Sequence, residues 1–426
     1  MIGTVRTEQG DLAKAMESFQ AAARLSGPLA RAAPRNVARQ LAHADVLAYI
    51  GTMHWYQGDL DGAQRGFDDA QAVLLPAVAI APDHPRLLFQ LSTVDNNVGH
   101  VLEGRGRIDQ AVVHYRRMLV AARQLAKLGP DNVEWQNQLG LAHNNLAKMA
   151  LLSGDLATSI AEYRADVAIE SALARRDPRN NAQRERLLIS RATLGRTLVL
   201  AGELEEGAAL TRQSVEDAKL LGAMESRSTA FQEDIGLYST QLARMQRLRG
   251  DLDGAAALTE ASLATLQGLV AKDAAQPAWR RELAEAYIER AEQAVATGRR
   301  DDAVAPLRTA LEILEPQLAQ AADDRGIVLA TATARLRLAM LLADGERSEL
   351  AGRTLSLLDA QTSARADPRL LALRAEALLH LRRAAEARKL ADALKAAGYR
   401  DAGFATLMRA IDPSANKRRS NQEAPP

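Results

Sequence analysis

The chain has 426 residues, 54 of them basic and 53 acidic, a formal charge of +1 and no cysteine. That balance creates no global field toward nucleic acid, a membrane surface or a strongly acidic partner. The missing thiol excludes disulfides, thiolate catalysis and cysteine-ligated metals, and fits a reducing, cytoplasmic setting. Aromatic residues make up only 4%, against a background of Ala, Leu, Arg, Glu and Asp, so the chain reads as all-α.

The first residues, MIGTVRTEQGDLAKA, contain no apolar run of signal-peptide length, and no later segment has the roughly 18 consecutive apolar residues of a membrane span. Gly10-Asp11-Leu12 opens a pattern that returns at Gly58, Gly106, Gly154, Gly202, Gly250 and Gly298, always 48 residues on. A fixed period of this length signals a repeat array. Ile2-Gly3 matches Ile50-Gly51, Val98-Gly99 and Leu194-Gly195, pairs that fall inside a helix, so the chain starts in the middle of a repeat. The expectation is a fragment of a longer protein, or a misplaced start.

The unit from Pro82 to Lys127 shows the pattern most clearly. Pro82-Asp83-His84-Pro85 signals a helix start. Leu87, Leu88, Leu91, Val94, Val98, Val101 and Leu102 then form one apolar stripe, which Glu103-Gly104-Arg105-Gly106 ends. A second helix runs from Ile108 through Ala111, Tyr115, Met118, Ala121 and Leu125 to the break at Gly129-Pro130. Each unit is thus a helical hairpin whose inner-turn glycine supplies a positive φ, with acidic residues (Asp59, Asp155, Glu203, Asp251) favouring the start of the second helix.

Five residues after each inner-turn glycine stands a small residue: Ala15, Ala63, Ala111, Ser159, Gly207, Ala255 and Ala303, with Ala351 in the same slot one period on. Four further on comes a ring at Phe19, Phe67, Tyr115 and Tyr163, and later Thr211, Thr259 and Leu307. Twelve before each small residue is another, at Gly51, Gly99, Ala147, Gly195, Ala243, Ala291 and Ala339, marking where the two helices approach. Trp135, Phe231 and Trp279 keep step as packing residues, and Trp55 is expected to pack at an inner turn, with an exposed recognition aromatic as the alternative. Ala351 to Ala387 is a shorter step of 36. Gly398-Tyr399-Arg400 then leads into a capping helix near Ala402 to Ile411, and residues 412–426 read as a disordered tail.

These offsets resemble those of the tetratricopeptide repeat (TPR) superfamily, over roughly residues 1 to 400. The units are about 14 residues longer than the usual ~34, or about two extra turns per helix. Such long repeats are similar to those of bacterial multidomain proteins, including C-terminal parts of serine/threonine kinases and winged-helix regulators. The resemblance implies a right-handed α-solenoid of antiparallel hairpins, about nine of them with the first truncated, spanning 1–411.

No phosphate loop, H-E-x-x-H, G-x-S-x-G or kinase element is present, and the seven histidines have no paired ligand spacing. No catalytic, cofactor or metal residue is assigned, and no small-molecule substrate; neither an enzyme nor a nucleic-acid binder is expected. In TPR proteins the first helices line a concave groove. The slot after the small Gly/Ala reads Thr52, His100, Lys148, Arg196, Arg244, Glu292 and Met340, so three successive cations stand beside His100. Neighbouring groove slots hold Asn96-Asn97, Asn144-Asn145, Thr193 and Thr240-Gln241. Amides match peptide backbone and Lys/Arg attract carboxylate, so the expected role is a scaffold that binds an acidic peptide or protein segment through Asn96, Asn97, His100, Asn144, Asn145, Lys148, Thr193, Arg196, Gln241 and Arg244. The second expectation, from the mid-repeat start, is the C-terminal regulatory region of a larger bacterial signalling protein with a kinase or winged-helix part upstream.

Overall fold

A computed structural model describes residues 2–8, 11–361 and 366–411. Gly10 and the tail from 412 onward therefore lie outside the described residues. Within them the chain is helical throughout, in consecutive pairs: α1 (Ile2–Glu8) and α2 (Leu12–Ala32), α3 (Val37–Tyr56) and α4 (Leu60–Ile80), α5 (Pro85–Gly104) and α6 (Ile108–Leu128), α7 (Val133–Leu152) and α8 (Leu156–Arg176), α9 (Asn181–Leu200) and α10 (Leu204–Met224). There follow α11 (Thr229–Leu248) and α12 (Leu252–Lys272), α13 (Pro277–Ala296) and α14 (Val304–Gln320), α15 (Arg325–Ala339) and α16 (Asp344–Ala360), α17 (Pro368–His380) and α18 (Ala384–Ala396), and a closing α19 (Ala402–Ile411). The chain forms two compact units, Met1–Met149 and Ala150–Pro426.

The inner turns follow from their sequence. Gly58, Gly106, Gly154, Gly202, Gly250 and Gly298 all adopt φ between 70° and 86°. The following aspartates do more than oppose the helix dipole. Asp59 Oδ1 accepts from the Gly62 amide at 2.8 Å, Asp155 from Thr158 at 3.0 Å and Asp251 from Gly254 at 3.0 Å, so each caps an orphan amide of the second helix. Glu203 holds the same position without a side-chain bond to the helix. At the start of α5, Pro85 stands at the first helical position behind His84.

The small-residue slots are the sites of closest helix approach. Ala15, Ala63, Ala111, Ser159, Ala255, Ala303, Ala351 and Ala387 are all fully buried. A Cβ on Gly51 would lie 2.7 Å from the Phe67 ring and 3.1 Å from the Ala63 carbonyl. Gly51→Ala is therefore expected to destabilise the first unit by about 1–3 kcal/mol through overpacking, read as a lower denaturant midpoint with unchanged helicity.

Within the second unit the C-terminal end packs back on earlier helices. Tyr399, Phe404, Leu407 and Ile411 share a core with Leu151, Leu156 and Leu200. The Arg400 amide donates to the Leu200 carbonyl at 2.7 Å. Gly202 makes the approach possible, since a Cβ there would come within 2.8 Å of the Arg400 side chain.

One packing expectation changes, at Trp55, while Trp135 packs against Leu88, Ala121 and Leu125 as expected. Trp55 is 38% exposed. Trp135 is only half-buried, whereas Phe231 and Trp279, which share its slot, are buried.

Candidate functional site

In the first unit the groove residues expected from the sequence fall into two polar clusters, one of asparagines and one around Glu103. Asn145 Nδ2 donates to Asn96 Oδ1 at 2.8 Å, and Asn96 Nδ2 to Asn97 Oδ1 at 3.2 Å. Lys148 Nζ is 2.7 Å from Glu103. His100 lies 3.7 Å from the same carboxylate and 3.1 Å from the Tyr115 hydroxyl, which also donates to Glu103. Asn144 stands one residue before Asn145 on α7 and is engaged as well. Burial raises the proton affinity of Glu103, but hydrogen bonding to His100 and the charge and bond of Lys148 outweigh it, bringing its pKa down to about 2. Lys148 is therefore a neutralised cation.

In the second unit the same slots behave differently from one another. Arg244 Nη2 is 2.7 Å from Asp401, which is almost fully buried at the start of α19 and also accepts from the Gly403 amide. The carboxylate beside it holds Arg244 above the usual arginine range against the opposing effect of burial. Gln241, one turn earlier on α11, has a buried Oε1 with no hydrogen-bond partner among the described residues. Thr240 is turned away to Ser262 at 2.7 Å. Thr193 lies one turn before Arg196 on α9, and its carbonyl accepts from Thr197.

Arg196 makes no hydrogen bond or ion pair among the described residues. Its side chain reaches solvent, yet enough protein surrounds it that desolvation, with Arg369 as a like-charged neighbour, lowers its pKa; Tyr163, Glu285 and Tyr238 oppose this. Arg369 is itself paired with Asp367 at 2.7 Å. Of the three ladder cations, one is thus paired within its own unit to Glu103, one to the closing segment, and one is open.

The next slot member, Glu292, belongs to an internal ion-pair chain. Glu292 is 2.5 Å from Arg337 and 3.5 Å from Arg247, and Arg247 also makes a bidentate contact with Glu289 at 2.8 and 2.9 Å. No helix among the described residues is long and apolar enough to cross a membrane.

No family model and no curated protein matches this chain. Solved structures do. The apo form of RapI is similar over 91% of this chain and 97% of its own, at 10% identity and a TM-score of 0.52. A Rap protein complexed with competence and sporulation factor is similar over 92% and 99%, at 13% identity and 0.51. A tetratricopeptide repeat protein from Parabacteroides merdae matches over 73% and 90%, at 15% identity and 0.37. The likeness to the two Rap structures establishes a helical-repeat fold.

Proposed function

We propose that the chain is a non-catalytic scaffold that holds an acidic peptide or protein segment on the first helices of its second unit, with Arg196 as the open anion-binding group. The observation that carries this reading is the contrast along the cation ladder: Lys148 and Arg244 have internal carboxylates, and Arg196 has none. A desolvated guanidinium beside a second arginine gains from a carboxylate that can accept two parallel hydrogen bonds. The Rap structure that shares the fold was solved in complex with competence and sporulation factor, which agrees with a scaffold role.

The test is anisotropy of a fluorescein-labelled glutamate-rich decapeptide. Arg196→Glu should weaken binding at least tenfold, about 1.4 kcal/mol or more, with helicity unchanged. Lys148→Glu should leave it within about twofold. Equal binding by the wild type and Arg196→Glu rules the site out.

A further inference from the structure

The first unit contains a cavity of about 320 Å³ between α3, α5 and α7, which plays no part in the anion-binding reading. Its apolar wall is Leu41, Pro85, Phe89 and Trp135, and its polar rim is Asp45, Arg86, Gln90 and Glu134. The volume is at the small end of the ~300–1,000 Å³ range of ligand pockets, the size for one anchoring side chain with part of its backbone.

Its polar groups are unspent. Asp45, Arg86, Gln90 and Glu134 make no hydrogen bond or ion pair among the described residues, in a chain where charged side chains on neighbouring helices are repeatedly paired. The indole N–H of Trp135 is also without a partner there.

The repeat itself provides an internal control. Three periods later the tryptophan slot is filled by Trp279, whose Nε1 donates to Glu233 at 2.7 Å. The residue in the place of Glu233 beside Trp135 is Phe89, which cannot accept that bond. The slots of Asp45, Arg86 and Glu134 are taken three periods on by Ile189, Ala230 and Ala278. The corresponding place in the second unit is itself acidic, with Glu185, Glu233 and Asp234 in the slots of Leu41, Phe89 and Gln90, but its indole donor is already used and the second ring of the wall is missing, so the period does not require the open arrangement around Trp135.

We infer that this cavity receives a large apolar side chain of a partner segment whose adjoining residue is Lys or Arg. Phe89 and Trp135 would bury the apolar group, and the indole N–H would donate to the segment's backbone carbonyl. The rim carries two carboxylates against one guanidinium, so a cation complements it and an anion does not. Burial already pushes the Asp45 carboxyl upward, with Arg86 opposing, so a ligand ammonium beside it relieves an existing cost.

The experiment follows the indole resonances of the ¹⁵N-labelled full chain, with that of Trp135 assigned from a Trp135→Phe variant. The probes are blocked heptapeptides of glycine and serine carrying Phe-Lys, Phe-Glu or Ser-Lys at the centre. The Phe-Lys peptide should shift the Trp135 indole saturably, with the other two at least about fivefold weaker. The Asp45→Asn, Glu134→Gln double variant, checked for unchanged helicity, should lose that preference for Lys over Glu. Equal binding of Phe-Lys and Phe-Glu overturns the inference, and so does the absence of any shift up to about 1 mM peptide. A Trp135 shift that depends on protein concentration alone assigns the cavity to a second copy of the chain and overturns it too. Arg196→Glu should leave this titration unchanged, which separates the inference from the anion-binding site.

Discussion

Raising the pH from about 6.5 to about 9 is expected to destabilise the second unit by several kcal/mol, because it buries carboxyl groups that are protonated in the fold and ionised in the unfolded chain. Glu282 on α13 is only 2% exposed, and its Oε2 has no hydrogen-bond partner among the described residues. Burial, reinforced by Glu233 and Glu285, pushes its pKa up to about 8 against the opposing charge of Arg281. Burial and then Glu185 push Asp234 up to about 7, although Tyr238 donates a hydrogen bond to its charged form. On α8, burial and then Asp166 push Glu170 to about 7.

A folded-state carboxyl that holds its proton more tightly than the unfolded one contributes stability that is complete below about pH 4 and lost as pH rises through 7 to 8. Each tenfold difference in proton affinity is worth about 1.4 kcal/mol. His380 works the other way, since burial lowers its pKa, but its contribution is already gained above about pH 6.5. Urea denaturation across the series should show the midpoint falling with pH, and Glu282→Gln should flatten the curve while raising stability at pH 9. A flat wild-type profile would mean that these carboxyls find water or counter-charges in solution.

How far the sequence exposes all this depends on the range of the interaction. The 48-residue period, the positive-φ glycines, the small-residue contacts at Gly51 and Ala63 and the span of α19 are all readable, because each is a local steric requirement repeated in register. The ion pairs were only half-readable. Reading one slot at a time makes Lys148, Arg196 and Arg244 look alike, whereas pairing runs between rungs. Glu103 with Lys148, Arg247 with Glu292 and Glu292 with Arg337 are each 45 residues apart, one repeat forward and one helical turn back. That offset is present in the sequence once it is sought. The buried carboxyls were hidden for another reason: Asp234 and Glu282 occupy positions where amphipathic helices ordinarily carry solvated charge, and only the packing of helix on helix removes the water. The contact of Arg244 with Asp401, 157 residues away, follows no period and was not readable at all.

Replacing Phe404 with Ala is expected to cost about 3–5 kcal/mol, the usual penalty for truncating a buried phenylalanine, and to loosen helices far from it in the chain. In an array held by nearest neighbours, the last hairpin would fray first and alone. Here Phe404 stacks edge-on against Tyr399 with ring centroids 5.6 Å apart, and both share a core with Leu200 at the end of α9. The Arg400 amide and the Asp401 carboxylate add bonds to α9 and α11. Losing the aromatic anchor should therefore release the loop, free Arg244 and raise amide exchange at the C-terminal ends of α9 and α11 together with α17 and α18. Hydrogen exchange by mass spectrometry distinguishes the two cases: faster exchange confined to α17, α18 and α19 would mean that the returning contacts contribute little. Exchange spreading to Leu198–Leu200 and to the peptide around Arg244 would show that the segment acts as a clasp, tying the end of the array to its own middle and setting whether Arg244 stands beside Arg196 as a second open cation.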